Sequence, residues 1–299
     1  MARKGPKAGA QAVCAAGWYL PGTSRAAAGR PSTPMVRVGQ RLGKYRLKRR
    51  VARGGFGDVY EAYDTIEGIK VALKVPLGGK VTEEQLDDFR REVRITVRLD
   101  HPNVLPIKNA DFVDGLFTIV QPLGICSLDA RLSRRMKFTT KIDYIDQMLE
   151  GLAYAHEQGV IHCDIKPDNI ILFDDGRLRL ADFGIAKFAR KTVQGSASGS
   201  VGYMAPEQAM GRPSARSDVF SAGLVVHQLL TGKLPTWPFR WPCEGYDRLK
   251  RMHPELREFV RRAIEVEARR RFKDGAVMYR AFKRIERKTL RYAEERRGR

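Results

Sequence analysis

Between Tyr45 and Val120 the chain alternates apolar and polar residues in short runs, and past Leu123 that period of two gives way to helical spacing. This division constrains the fold more than any other feature. Val59, Glu61 and Tyr63 fall on one face of a run and Tyr60, Ala62 and Asp64 on the other, as in a strand. The run Lys70 to Val75 follows the turn residues Glu67-Gly68 and completes a hairpin. Thr82-Glu83-Glu84-Gln85 has the spacing of a capping box, and Leu86, Phe89, Val93 and Thr96 recur at helical offsets. A helix is therefore predicted over about 83–99, with Glu92 on its inward face. Further strands are expected from Ile107 to Phe112 and from Leu116 to Val120, around the turn Asp114-Gly115. Helices are predicted near 139–158, 218–231 ending at Gly232, 254–266 and 274–293. The expected fold is α+β: a small β-rich lobe with one helix, then a larger α-helical lobe.

The net charge of +21 is carried by the ends of the chain. Residues 1–50 hold 12 Lys/Arg and no acid, residues 248–299 hold 19 against 8, and the middle holds 24 against 26. Such ends could attract an acidic partner, but they interleave no aromatics as a nucleic-acid platform would, so nucleic acid is not the expected ligand. Residues 1–40 read as a basic, disordered extension rich in Ala, Gly, Ser and Pro. Its basic start and weakly apolar middle resemble a signal or transit peptide superficially; a flexible extension is the preferred reading, and Met35 is an alternative start. No run is long and apolar enough to span a membrane. Cys14, Cys126, Cys163 and Cys243 form neither close pairs nor metal-ligand spacing, which suits free thiols in a reducing compartment.

Three groups of residues carry chemistry. Ala52-Arg53-Gly54-Gly55-Phe56-Gly57-Asp58-Val59 nearly matches G-x-G-x-x-G-x-V, and a strand rather than a helix follows its last glycine. That context favours glycines folding over phosphates between antiparallel strands, although an ordinary hairpin tip has the same composition. Val71-Ala72-Leu73-Lys74 places a lysine on a strand otherwise fit for burial, where it must snorkel, pair or lose water, and Glu92 is available to pair with it. The run His162-Cys163-Asp164-Ile165-Lys166-Pro167-Asp168-Asn169, followed by Asp182-Phe183-Gly184, sets carboxylates, an ammonium and an amide at fixed offsets. This set suits a metal-bound triphosphate held beside a hydroxyl that must lose its proton.

Taken in order with Ala205-Pro206-Glu207, these motifs resemble the eukaryotic-type protein kinase family from about Tyr45 to Phe282. The resemblance implies a kinase domain over 45–282, with a small lobe of about 45–121 and a large lobe of about 124–282, and then a basic helix end at 283–299. It implies a cytoplasmic serine/threonine kinase using ATP and Mg²⁺ on a protein substrate. Asp164 is the expected base, Lys166 the neutraliser of the transferring phosphoryl group, Asn169 and Asp182 the Mg²⁺ ligands, and Lys74 the phosphate contact fixed by Glu92. ATP is expected to be bound by Val51, Ala52, Gly54, Gly55, Gly57, Val59, Ala72 and Ile171, with Val120 as a small gatekeeper. Gln121 C=O and Leu123 N–H form the expected adenine pair, and Ser127 a ribose contact. Ser200 stands on the substrate loop, Asp218 braces the catalytic loop, and Arg271 is the partner for Glu207.

Three departures stand out, one of them Ser200 in place of the commoner threonine, where either hydroxyl could bridge Asp164 and Lys166. Cys163 occupies the place where many members carry the arginine that receives a phosphate from the activation loop, so activity is expected not to depend strongly on phosphorylation of Thr192, Ser196 or Ser198. Thr96 stands where an apolar residue is usual, in a column with Ile107, Phe183 and His162, and its hydroxyl is expected to find a helix carbonyl. A kinase-like binding module without catalysis and a small-molecule kinase remain the alternative readings. The first usually lacks Lys74, Asp164, Asn169 or Asp182, and the second Ala205-Pro206-Glu207.

Overall fold

The computed structural model describes residues 36–53, 57–76, 83–183 and 201–296. Its first part is an antiparallel sheet of β1 (Arg41–Leu42), β2 (Tyr45–Arg53), β3 (Gly57–Asp64), β4 (Ile69–Pro76), β5 (Asn109–Val113) and β6 (Leu116–Pro122). The strand order is β1-β2-β3-β4-β6-β5. Both faces are covered, which is why β6 reads as a nearly unbroken apolar run instead of alternating. On one face Leu47, Tyr60, Ala62, Val71, Leu73 and Val120 form a core of their own. On the other, Phe117 and Ile119 pack with Ile107 and with Leu86 and Val93 of helix α1 (Glu83–Thr96).

The large lobe is built around α3 (Phe138–Glu157), α5 (Ala215–Thr231) and α8 (Gly275–Glu295), with short α2 (Leu128–Leu132), α4 (Pro206–Ala209), α6 (Tyr246–Leu249) and α7 (Pro254–Ala263) around them. Helix α5 is buried along almost its whole length, as its apolar sequence on all sides requires. It starts at a capping box between Ser214 and Ser217 and stops at Gly232, whose left-handed φ of 73° lets its N–H reach Gln228 O at 2.7 Å. Met148, Leu149 and Leu152 of α3, Phe220 and Val225 of α5, and Phe282 of α8 share one core.

Sequence periodicity misses a second sheet here. Strands β7 (Cys126–Ser127), β8 (Ile170–Leu172) and β9 (Leu178–Leu180) pair antiparallel within the helical lobe. Runs of two and three residues are too short to display a period. The loop between α1 and β5 is tied to this sheet: Leu105 N–H donates to Leu180 O, Leu180 N–H donates to Asn103 O, and Asn103 Nδ2 donates to Leu178 O, each at 2.8 Å. The small sheet thus joins the two lobes behind the cleft.

Candidate active site

The site lies where the sheet face bearing Ala72 and Lys74 meets the loop 162–169 and the start of the segment at Asp182. The polypeptide is forced into an unusual course at two points there. Cys163 and Asp182 adopt φ of 65° and 64°, the left-handed region that non-glycine residues enter at a cost of about 1–2 kcal/mol. Cys163 is held by its neighbours: its N–H donates to Asp218 Oδ1 at 2.8 Å and its C=O accepts from Gln208 Nε2 at 2.6 Å. Asp218 Oδ2 accepts from His162 N–H at 2.7 Å and contacts His156 Nε2 at 2.9 Å. A carboxylate from α5 therefore fixes two successive peptide groups of the loop. The Cys163 side chain is buried in the lobe.

Beyond this bend a 3-10 turn, Pro167–Asn169, brings Asn169 back beneath Asp164. Asn169 Nδ2 donates to Asp164 O at 2.9 Å and to Asp164 Oδ2 at 2.8 Å, and Lys166 Nζ lies 2.8 Å from the same Oδ2. Both side-chain contacts fall on Oδ2. Asp164 Oδ1 is the carboxylate oxygen left for a ligand, and Asn169 keeps its carbonyl oxygen as a hard donor.

Lys74 is buried on β4, and its ammonium meets Asp182 Oδ1 at 2.9 Å. Burial acts to raise the Asp182 carboxyl, but the Lys74 charge and hydrogen bond outweigh it and hold it below the ordinary carboxylate range. Phe183, next to Asp182, is fully buried with its ring 4.5 Å from that of His162. Glu92 lies in α1 as expected, while its side chain falls outside the described residues. Gly54, Gly55 and Ser200, together with Thr192, Ser196 and Ser198, also fall outside them.

The strand register assigns the pocket wall. Ala52 pairs with Val59, Val59 with Lys74, Lys74 with Ile119, and Ala72 with Gln121. Directly opposed residues of antiparallel strands share a face, so Ala52, Val59, Ala72, Lys74, Ile119 and Gln121 line one side. Val120 takes the other side, packed with Leu73 and Val71, and its C=O accepts from Lys108 N–H at 2.8 Å. The expectation of Val120 as the small gatekeeper is thus corrected: Gln121 and Ile119 project where Val120 was expected. The cause is parity, since one residue along a strand reverses the face. Val51, near the end of β2, and Gly57, at the start of β3, are buried.

Below, Ile171 of β8 is buried with Leu105, Phe173 and Ala181. The chain following β6 passes so close to it that a Cβ on Gly124 would stand 2.2 Å from Ile171 Cγ2. Leu123 therefore sits between the end of β6 and an obligatory glycine. Ser127, the expected ribose contact, is nearly buried and caps α2, its Oγ accepting from Ala130 N–H at 3.3 Å. Thr96 also departs from expectation: it is buried, yet its hydroxyl has no partner among the described residues.

Farther out, Arg271 and Glu207 form a two-pronged ion pair at 2.8 and 3.0 Å. Arg271 also donates to the carbonyls of Arg216, Glu265 and Val266 and lies over the Phe220 ring. Burial acts to raise the Glu207 carboxyl, but Arg271 and the Ser217 hydroxyl hold it below its ordinary value.

Comparisons with known proteins agree with this arrangement. The family described as "Protein kinase domain" matches residues 45–290. Serine/threonine-protein kinase PknA of Mycobacterium tuberculosis (strain ATCC 25177 / H37Ra) is 36% identical over 213 residues, 67% of this chain and 49% of that protein. Probable serine/threonine-protein kinase pknA2 of Bifidobacterium longum is 33% identical over 204 residues, 64% of this chain and 27% of that protein. The chain thus spans about half or less of the length of these relatives. The crystal structure of the Mycobacterium tuberculosis PknI kinase domain superposes with a TM-score of 0.65 over 83% of this chain and 99% of that one, at 24% identity, a likeness of fold. With the motifs in order, the two lobes assembled and Lys74, Asp164, Asn169 and Asp182 gathered at one cleft, the chain belongs to the protein kinase domain family.

Proposed function

We propose that this chain transfers the γ-phosphate of ATP to a serine or threonine hydroxyl of a protein substrate. One observation carries the reading: two clusters of paired side chains, Lys74–Asp182 and Lys166–Asp164–Asn169, face a single cleft. Asp164 Oδ1 accepts the hydrogen bond of the attacking hydroxyl and takes its proton as the bond to the γ phosphorus forms and the bond from that phosphorus to the β–γ bridging oxygen breaks, releasing ADP. Lys166 and Asn169 hold Oδ2 and so fix the carboxylate plane. Lys166 also supplies positive charge beside the oxygens of the transferring group.

The donor set fits Mg²⁺. The Asp182 carboxylate and the Asn169 amide oxygen are hard ligands, and two protein oxygens leave positions for water and phosphate oxygens. When bound, the ion would neutralise charge between the β and γ phosphates. Lys74, buried beside Asp182, would meet the α and β phosphates, and Ala72, Val59 and Ile171 would sandwich the base. Dependence on ATP favours the cytoplasm.

Phosphoamino-acid analysis after incubation with labelled ATP and a generic protein tests the substrate class. Phosphoserine or phosphothreonine is expected, and it is expected to disappear in Lys74→Met. Label confined to phosphotyrosine or to a small molecule would contradict the reading, and label that persists in Lys74→Met would contradict the site.

A further inference from the structure

Helix α8 carries its charge in a pattern that packing onto the lobe does not require. Met278, Phe282, Ile285 and Thr289 form its buried stripe. At 3.6 residues per turn, the opposite side is held by Arg280, Arg284, Arg287 and Arg291, all exposed. Their spacing confines them to an arc of roughly 60° and a length of about 16 Å.

Neighbouring charges are already matched. Lys283 lies 2.9 Å from Asp146 and 2.6 Å from Glu286, and Lys288 lies 2.8 Å from Glu255. None of the four arginines forms an ion pair among the described residues. The segments 1–35, 54–56, 77–82, 184–200 and 297–299 contain no Asp or Glu, and the acidic residues whose side chains are not described, Glu83, Glu84, Asp88 and Glu92, lie on α1 of the small lobe. Among the described residues, the unmatched positive charge of the helix is therefore a straight row of guanidinium groups.

We propose that this row docks an acidic helical segment of a partner protein whose carboxylates repeat at the same offsets. Guanidinium forks bind carboxylates through two parallel hydrogen bonds, and a second helix has the same rise per residue, so successive pairs stay in step. A membrane-surface helix needs apolar residues beside its charges, and here the apolar stripe is spent inside the lobe. A single-stranded nucleic acid needs aromatic platforms among the charges, and the row has none. Glu294 and Glu295 close its C-terminal end, which sets a length suited to a short segment.

The test uses the full chain and two labelled peptides of identical composition, one with glutamates at i, i+4, i+7 and i+11 of a helix and one scrambled. Fluorescence anisotropy is expected to show the patterned peptide binding about tenfold tighter than the scrambled one. The variant Arg280→Gln/Arg284→Gln/Arg287→Gln/Arg291→Gln is expected to lose that preference while keeping its thermal midpoint and phosphotransfer rate. Equal affinity for the two peptides, or no binding, overturns the proposal. So does a variant that keeps the preference and loses only retention on phosphatidylserine vesicles or duplex DNA.

Discussion

The N–H of Cys163 donates to Asp218 Oδ1 at 2.8 Å, and this bond holds a non-glycine residue at a φ of 65° immediately before the proposed base. The other oxygen of the same carboxylate holds His162 N–H at 2.7 Å. An amide in place of Asp218 would set an N–H₂ against a backbone N–H. Asp218→Asn is expected to cost about 2–3 kcal/mol in urea unfolding and to lower kcat more than it raises KM for ATP. Unchanged stability with unchanged kcat would show that the loop does not need this brace.

Parity along β6 separates Gln121 from Val120. Val120→Ala removes methyl groups from a core away from the cleft and is expected to lower stability by about 1–2 kcal/mol with an unaltered KM for ATP. Gln121→Ala is expected to leave stability within about 0.5 kcal/mol and to shift KM for ATP and for N6-substituted ATP analogues. Nucleotide kinetics and thermal unfolding of both variants decide the matter; the opposite assignment of effects would restore Val120 to the cleft.

Thr96 is buried on α1 with its hydroxyl unpartnered among the described residues. An unpaired buried hydroxyl costs free energy that an isosteric methyl does not. Thr96→Val is therefore expected to raise stability by about 1 kcal/mol, read as a higher thermal midpoint. A loss of similar size would reveal a hydroxyl partner.

The Arg271–Glu207 pair gives a pH signature. Glu207 titrates below its unfolded value, so its stabilising contribution is complete above that value and is lost as pH falls through the folded one. In Arg271→Gln burial is unopposed, Glu207 takes up its proton more readily, and the variant's deficit is expected to shrink as pH is lowered. We expect a deficit of about 3–5 kcal/mol at neutral pH that narrows towards pH 5, measured by urea unfolding at each pH. A deficit that widens on acidification would contradict this assignment.

Much of this site was legible because its residues come in short contiguous runs. Asp164, Lys166 and Asn169 sit at fixed offsets on one loop, and their contacts follow from a single 3-10 turn. Lys74 was legible from burial alone, since a lysine in an apolar strand needs an anion; Asp182 meets it, and Lys74 has further contacts in addition. The face of Val120 was not legible, because β6 is apolar on both sides and offers no alternation to fix its phase. Ser127 hid a second role, since capping α2 depends on where a helix starts. The strands β7, β8 and β9 escaped notice because pairing across the lobe makes them. The row of arginines on α8 was half visible in the sequence, and its meaning emerged only once Lys283 and Lys288 were seen to be paired.

The central claim is that Asp164 is the base of a phosphotransfer reaction, and Asp164→Asn tests it most directly. The substitution keeps the shape of the side chain and one acceptor oxygen but removes the proton acceptor. Steady-state transfer of labelled phosphate from ATP to a protein substrate is expected to fall by about 10²–10⁴-fold, with nucleotide affinity retained. Transfer at the wild-type rate with equal nucleotide affinity would contradict the account.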